Sequence, residues 1–203
     1  PWLRFGDGEA LLQAIDLIGQ RMGLGDALAE GSRRLAEVIG HDSIEFAPQV
    51  KGLEIPGYEP RALQTMALGF AVGARGADHN RSGAYEVDFS ENQAAIMDSL
   101  ILCKFLRGVF DDFFAESATM LRLVTGWSIS AGELRETAQR IVTAKKRFNM
   151  RAGWTPNEDT LPARMLRAPL EDDPQASLST QRLADLVTAY NELRGWTPEG
   201  FPR

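Results

Sequence analysis

An all-α fold is what this chain of 203 residues predicts, and three observations predict it. Apolar residues recur at helical spacing in one segment after another. Helix start and stop signals bracket those segments. Strand-like, β-branched stretches are confined to residues 41–60, which also hold three prolines and two glycines.

Residues 8–23, GEALLQAIDLIGQRMG, place Leu11, Leu12, Ile15, Ile18 and Met22 at helical spacing, with Gly23 and Gly25 as stops. Asp26 is a good N-cap for a second helix running to Gly40. The 41–60 connector carries one extended stretch near Val50 to Ile55. Pro60 then reads as the first-turn proline of a helix over RALQTMALGFAVGA, whose small residues permit close approach by a neighbour. Ser90 is placed to cap ENQAAIMDSLILCKFL, ending near Gly108, and an amphipathic helix follows over 110–126. Ser130 and Glu133 form a capping-box pattern at the start of a helix over 128–149. Residues 150–177, with four prolines, read as an ordered loop, and a last helix begins near Ser179. Roughly six or seven helices result, and no βαβ pattern.

Composition narrows the function classes. A net charge of −6 and a pI near 5.1 argue against binding a phosphate backbone, and so against a nucleic-acid partner. No apolar run approaches the roughly 20 residues that span a bilayer, and no signal-peptide pattern opens the chain. A single cysteine excludes an intrachain disulfide framework and points to a reduced, cytoplasmic setting.

Chemistry concentrates in RGADHNRSG, residues 75–83, a dense polar knot directly after the smooth run MALGFAVGA. His79 has Asp78, Arg75 and Arg81 beside it. A lone loop histidine is often only a surface residue. Two guanidinium groups on a glycine-bearing turn are suited to hold an anion bidentately, and histidine titrates near neutral pH, so the knot reads as part of a site. Asp98 and Cys103 stand five residues apart, about 500° around a helix, so one helical segment directs both to a common site only if it ends or bends between them. In isolation Cys103 reads as a buried small hydrophobe. One thiolate cannot complete a zinc site or an iron–sulfur cluster, since either needs about four ligands.

VKGLEIPGYEPRALQTMALGFAVGARGADHNRSG resembles a segment of the tungsten-containing aldehyde ferredoxin oxidoreductases that reads KGLE-P-YDPR, then a glycine-rich helix, then RGA-H. DSLILCKF is similar to that family's D-x-x-G-L-C element, with Ile101 where the glycine stands. The stretch from Thr125 to Met165 resembles its FN-R-G and D-LP-R signatures, and the likeness runs in order through nearly the whole chain.

The resemblance implies the helical C-terminal part of such an enzyme: residues 1–48 as the end of a middle helical domain and 49–203 as the C-terminal one. The N-terminal pterin-binding domain, with three further cluster cysteines, is expected outside the chain, on a missing portion or subunit. It implies oxidation of a small aldehyde to a carboxylic acid, a bis-molybdopterin cofactor holding tungsten (or molybdenum), a 4Fe–4S cluster, ferredoxin as electron acceptor, and a homodimer. Cys103 would be the fourth cluster ligand. Asp98 would hydrogen-bond a pterin, Leu102 would line it, and Arg75, Arg81 and Lys104 would contact the pterin and its phosphates. His79 would stand near the metal and transfer protons. The isolated chain is expected to be inactive, and the alternative is a non-catalytic helical subunit derived from the same family.

Overall fold

The computed structural model describes residues 2–80, 91–106 and 108–203. Among them are nine α-helices and one two-stranded hairpin, so the chain is all-α. Helix α1, Gly8–Gln20, is capped by the Asp7 carboxylate, which accepts from the Ala10 N–H, and it stops at Arg21 in the left-handed conformation, before the expected glycines. Its core-facing residues are Ala10 and Ala14, whereas Leu11, Leu12 and Ile15, expected to form the buried stripe, are exposed.

The single helix expected from Asp26 to Gly40 is instead two, α2 (Leu24–Leu28) and α3 (Gly31–Ile39). Gly31 breaks them with φ +85. The break presents the N–H of Ser32, in the first turn of α3, to the Glu54 carboxylate at 2.8 Å. The Ser32 N–H bond is the leading cause holding Glu54 below the usual carboxylate range, as expected of an anion at a helix N-terminus, and the backbone N–H of Glu54 itself adds to it. Glu54 lies on β2 (Leu53–Glu54), which pairs antiparallel with β1 (Gln49–Val50) in the stretch read as extended.

Helix α4, Gln64–Val72, buries six consecutive residues from Ala67 to Val72 and is therefore the central element of the core. Pro60 does not begin it. Pro60 lies buried in a preceding turn, where the carbonyl of Glu59 accepts from the N–H groups of Ala62 and Leu63. The Glu59 side chain pairs with Arg61 at 2.8 Å, and Arg61 also reaches the carbonyls of Ala168 and Pro169, which fastens this turn to the 150–177 segment.

Helix α5, Asn92–Ser99, is shorter than expected; its capping by Ser90 falls outside the described residues. Helix α6 (Phe113–Thr125) is capped by Asp112, and α7 (Ala131–Arg151) by Ser130 with the expected capping box. The 150–177 segment is not a plain loop: it contains a 3₁₀ turn at Pro156–Glu158 and α8 (Ala163–Arg167). Helix α9, Thr180–Leu193, is capped by Ser179.

Three apolar clusters join these elements. Phe70, Ala67 and Ala71 of α4 meet Val50, Leu161, Leu178 and Leu183. Leu68 and Val72, on the other side of α4, meet Ala95, Val142, Tyr190 and Trp196. Ile96 and Met97 of α5 meet Phe113, Phe114, Leu134 and Ala138. Beside the first cluster the Asp159 carboxylate is ion-paired to Lys51 at 2.9 Å and Lys146 at 2.8 Å, and accepts from the Trp154 indole at 2.9 Å.

Candidate functional site

The chain leaves α4 at Gly73 and turns at once, with Gly76 N–H donating to the Gly73 carbonyl at 3.0 Å. Gly76 has φ +84 and packs so closely on the hairpin that a Cβ there would lie 1.9 Å from the Val50 carbonyl oxygen. Only glycine fits both requirements. Lys51, next in the hairpin, donates from Nζ to the carbonyl of Ala71, placing its charge at the C-terminal turn of α4 where cations are favoured. The first half of the polar knot is thus fixed by close packing on the core.

Within it, Arg75 pairs with Asp78 at 3.3 Å, and the Asp78 carboxylate accepts the Asn80 N–H at 3.0 Å. The His79 ring lies against Tyr58, with centroids 5.3 Å apart and planes at 46°. His79 is half-buried, so it is more constrained than an ordinary loop histidine. Arg81 lies outside the described residues.

The second wall comes from the end of α5. The N–H of Leu102 donates to the Met97 carbonyl at 2.8 Å and that of Ile101 to Asp98 at 3.3 Å, the bond pattern of a Schellman motif. Its left-handed residue is Ile101, with φ +58, at the position where glycine normally stands. The helix expected to continue to residue 106 therefore ends at Ser99, and Cys103 lies beyond it in non-helical chain. Cys103 is exposed, not buried as its residue type suggested. A 3₁₀ turn, Lys104–Leu106, follows, and Lys104 reaches back to α5, donating to the Ala94 carbonyl at 2.9 Å and pairing with Asp98 at 2.8 Å.

The two walls face each other across an open cleft of about 880 Å³, whose lining includes Tyr58, Arg75, Asp78, His79, Asp98, Leu102, Cys103 and Lys104. Every described residue that the sequence singled out thus meets in one place, although 19 or more positions separate His79 from Asp98 and those that follow. A neighbouring cavity of about 690 Å³ shares Arg75, Asp78 and Asp98 and is closed by Ile141, Lys145, Phe148 and Asn149 of α7. Glu91 borders it. This buried carboxylate accepts from the Tyr190 hydroxyl at 2.7 Å and pairs with Arg194, which also holds Asn92 at 2.8 Å. Burial, with the Glu91 carboxylate adding to it, pushes the Tyr190 phenol well above its ordinary range.

Sequence reasoning missed Tyr58 and Asn149. Both lie in stretches that carry the resemblance, GYEP and RFNMR, and that was the available signal.

Chemically, the cleft offers a soft thiol, an imidazole, and two cations each already close to a carboxylate. That donor set suits a ligand with both phosphate oxygens and hydrogen-bonding N–H groups. It suits a metal cluster only as a contributor: among the described residues no three His, Cys, Asp or Glu side chains are grouped so as to hold a metal ion by themselves. Nor is any described helix long and apolar enough to cross a membrane.

Residues 2–203 match the family model described as aldehyde ferredoxin oxidoreductase, domains 2 and 3. The tungsten-containing aldehyde ferredoxin oxidoreductase of Pyrococcus furiosus is 34% identical over 224 residues, covering 98% of this chain and 36% of that protein. The protein of the same description from Thermococcus kodakarensis is 34% identical over 228 residues, covering 100% and 37% respectively. An aliphatic sulfonate oxidoreductase, WOR-like subunit, also of Pyrococcus furiosus, is 26% identical, with 99% of this chain and 34% of that protein covered. The chain therefore spans only about a third of the length of the curated relatives it matches.

Proposed function

From its place in the aldehyde ferredoxin oxidoreductase family, to which this chain belongs, we propose that it forms the helical part of an enzyme oxidising aldehydes to carboxylic acids. The observation that carries the reading is the meeting of Arg75, His79, Asp98, Leu102, Cys103 and Lys104 in one cleft. In this reading residues 1–48 close a middle helical domain and 49–203 form the C-terminal one. A further portion supplies the remaining cluster cysteines and pterin contacts, and part of it covers the exposed Leu11, Leu12 and Ile15.

The reaction takes an aldehyde and water to a carboxylic acid, two protons and two electrons, the electrons passing to ferredoxin. When bound, a tungsten (or molybdenum) bis-molybdopterin supplies the two-electron step and a 4Fe–4S cluster the one-electron relay. The residues of this chain bind and orient. Arg75 and Lys104 balance phosphate charge, Arg81 adding a third cation, and Asp98 accepts a hydrogen bond from a pterin N–H. Leu102 excludes water from that face, and Cys103, as thiolate, is one cluster ligand. His79 takes up or releases a proton at a ring nitrogen, with Tyr58 limiting its rotation. The 203 residues alone are catalytically silent.

The test is metal analysis of the whole protein prepared without oxygen. Tungsten together with about four irons per chain is expected, with iron lost and tungsten kept in Cys103→Ser. A whole protein that binds neither metal would overturn the reading and leave a non-catalytic helical subunit as the better one.

A further inference from the structure

Asn149 stands near the end of α7, 75 residues beyond Ala74, yet its side-chain amide donates to the Ala74 carbonyl at 2.7 Å. Ala74 follows Gly73, the residue at which the chain leaves α4, and directly precedes Arg75. The bond thus reaches from a long helix, itself capped at both ends and packed on α5 and α6, to the point where the knot departs from the core. A second anchor lies two residues on, where Gly76 packs against Val50. Bonds inside the knot, from Gly76 to Gly73 and from Asp78 to Gly76, set its local shape but not its placement relative to α5.

We propose that Asn149 is a positioning residue: by holding the Ala74 carbonyl it sets where Arg75 and His79 lie along the cleft wall opposite Asp98 and Cys103. The proposal rests on reading that cleft as the cofactor-facing site. A partly buried carbonyl that loses its donor seeks another, and the nearest way to gain one is for the 73–75 backbone to swing toward solvent. The shift would pass directly to Arg75 and, through the tight turn at 76–78, to the His79 ring on Tyr58. An aspartate at 149 would do worse, since it would aim a carboxylate at a carbonyl beside Asp78 and Asp98.

The chain has two histidines, and His41 follows α3, far along the chain from the knot, so imidazole NMR signals report on one ring within the cleft and one control. The comparison is of wild type, Asn149→Leu, which has similar volume and no donor, and Asn149→Gln, which keeps an amide. In Asn149→Leu the His79 ring signals shift and the cross-peaks between His79 and Tyr58 are lost, while His41 is unchanged; Asn149→Gln restores part of the wild-type pattern. His79 signals that stay in place would overturn the proposal. So would equal movement of both histidines with loss of helical signal, because Asn149 would then support the fold at large. Should Asn149→Leu fail to fold, Asn149→Ala is read in the same way. The measurement needs no metal, so it can fail while metal analysis supports the cofactor reading, or succeed while metal analysis refutes it.

Discussion

Replacing Ile101 with glycine is expected to make the protein more stable. Ile101 has φ +58, in the left-handed region, where an L-residue costs about 1–2 kcal/mol and a β-branched one lies toward the upper end. Its side chain is 93% exposed, so truncation removes almost no apolar area from a protected position. The opposing effect is the greater freedom of glycine in the unfolded chain, about 0.5–1 kcal/mol. The difference favours Ile101→Gly by about 0.5–1 kcal/mol, or roughly 1–4 °C in melting midpoint for a domain of this size. Thermal unfolding followed by far-ultraviolet circular dichroism measures it, with Ile101→Asn, which tolerates the left-handed region, expected to move in the same direction. A midpoint that falls in both variants would refute the reasoning, because the isoleucine side chain would then be making contacts that outweigh its backbone strain.

Gly76→Ala acts in the opposite direction. The new Cβ would lie 1.9 Å from the Val50 carbonyl oxygen at φ +84, so the knot must lift from the hairpin, at a cost of about 2–4 kcal/mol measurable by urea titration. Asp159→Asn leaves the ammonium groups of Lys51 and Lys146 beside each other without their shared counter-charge, and a loss of about 3–5 kcal/mol is expected in the same titration. Lys146 gives a pH dependence. Burial lowers its pKa, with Lys51 adding to the effect, and this outweighs the pull of Asp159 toward the charged form. The unfolded chain thus holds the Lys146 proton to higher pH than the folded one, and stability rises with pH between the depressed folded value and the ordinary one near 10.5. Wild type should accordingly gain on Lys146→Met as alkaline pH increases; a constant difference across that range would count against a depressed Lys146.

The helical class, the capping box of Ser130 and Glu133, and the caps at Asp112 and Ser179 obey local rules and were open to reading from sequence, either outright or to within a few residues. The orientation of α1 was not. Its apolar residues occupy more of the circumference than its contact with α2 covers, so periodicity identifies the helix but not which stripe is buried. Pro60 misled for a related reason: proline suits a turn as well as a first helical turn, and the Arg61 that pairs with Glu59 in the turn is also held by carbonyls more than 100 positions away. The break at Gly31 is similar, since its other half is Glu54.

The end of α5 is the instructive case, because the site depends on it. LILCKFL has neither glycine nor proline, and by composition it should continue the helix. Continued, the helix would carry Cys103 about 500° around from Asp98 and about 7.5 Å along the axis. Instead Ile101 takes a conformation unfavourable to its own side chain, and two facts make that tolerable. Leu100, Leu102 and Leu106 pack on the cluster around Met97 and Phe113, drawing the chain back across the helix end. Lys104, returning to the Ala94 carbonyl and to Asp98, then fixes the turned segment from the polar side. Tertiary packing outweighs a local cost of about 1–2 kcal/mol. The cleft therefore exists where local propensity is overruled, with an exposed thiol at the end of a reversed segment and a histidine on a glycine-dependent turn opposite. The strain at Ile101 and the close approach at Gly76 belong to the same design, and relieving the first while keeping the Schellman bonds should leave Cys103 on the cleft wall, whereas lifting Gly76 should carry His79 away from it.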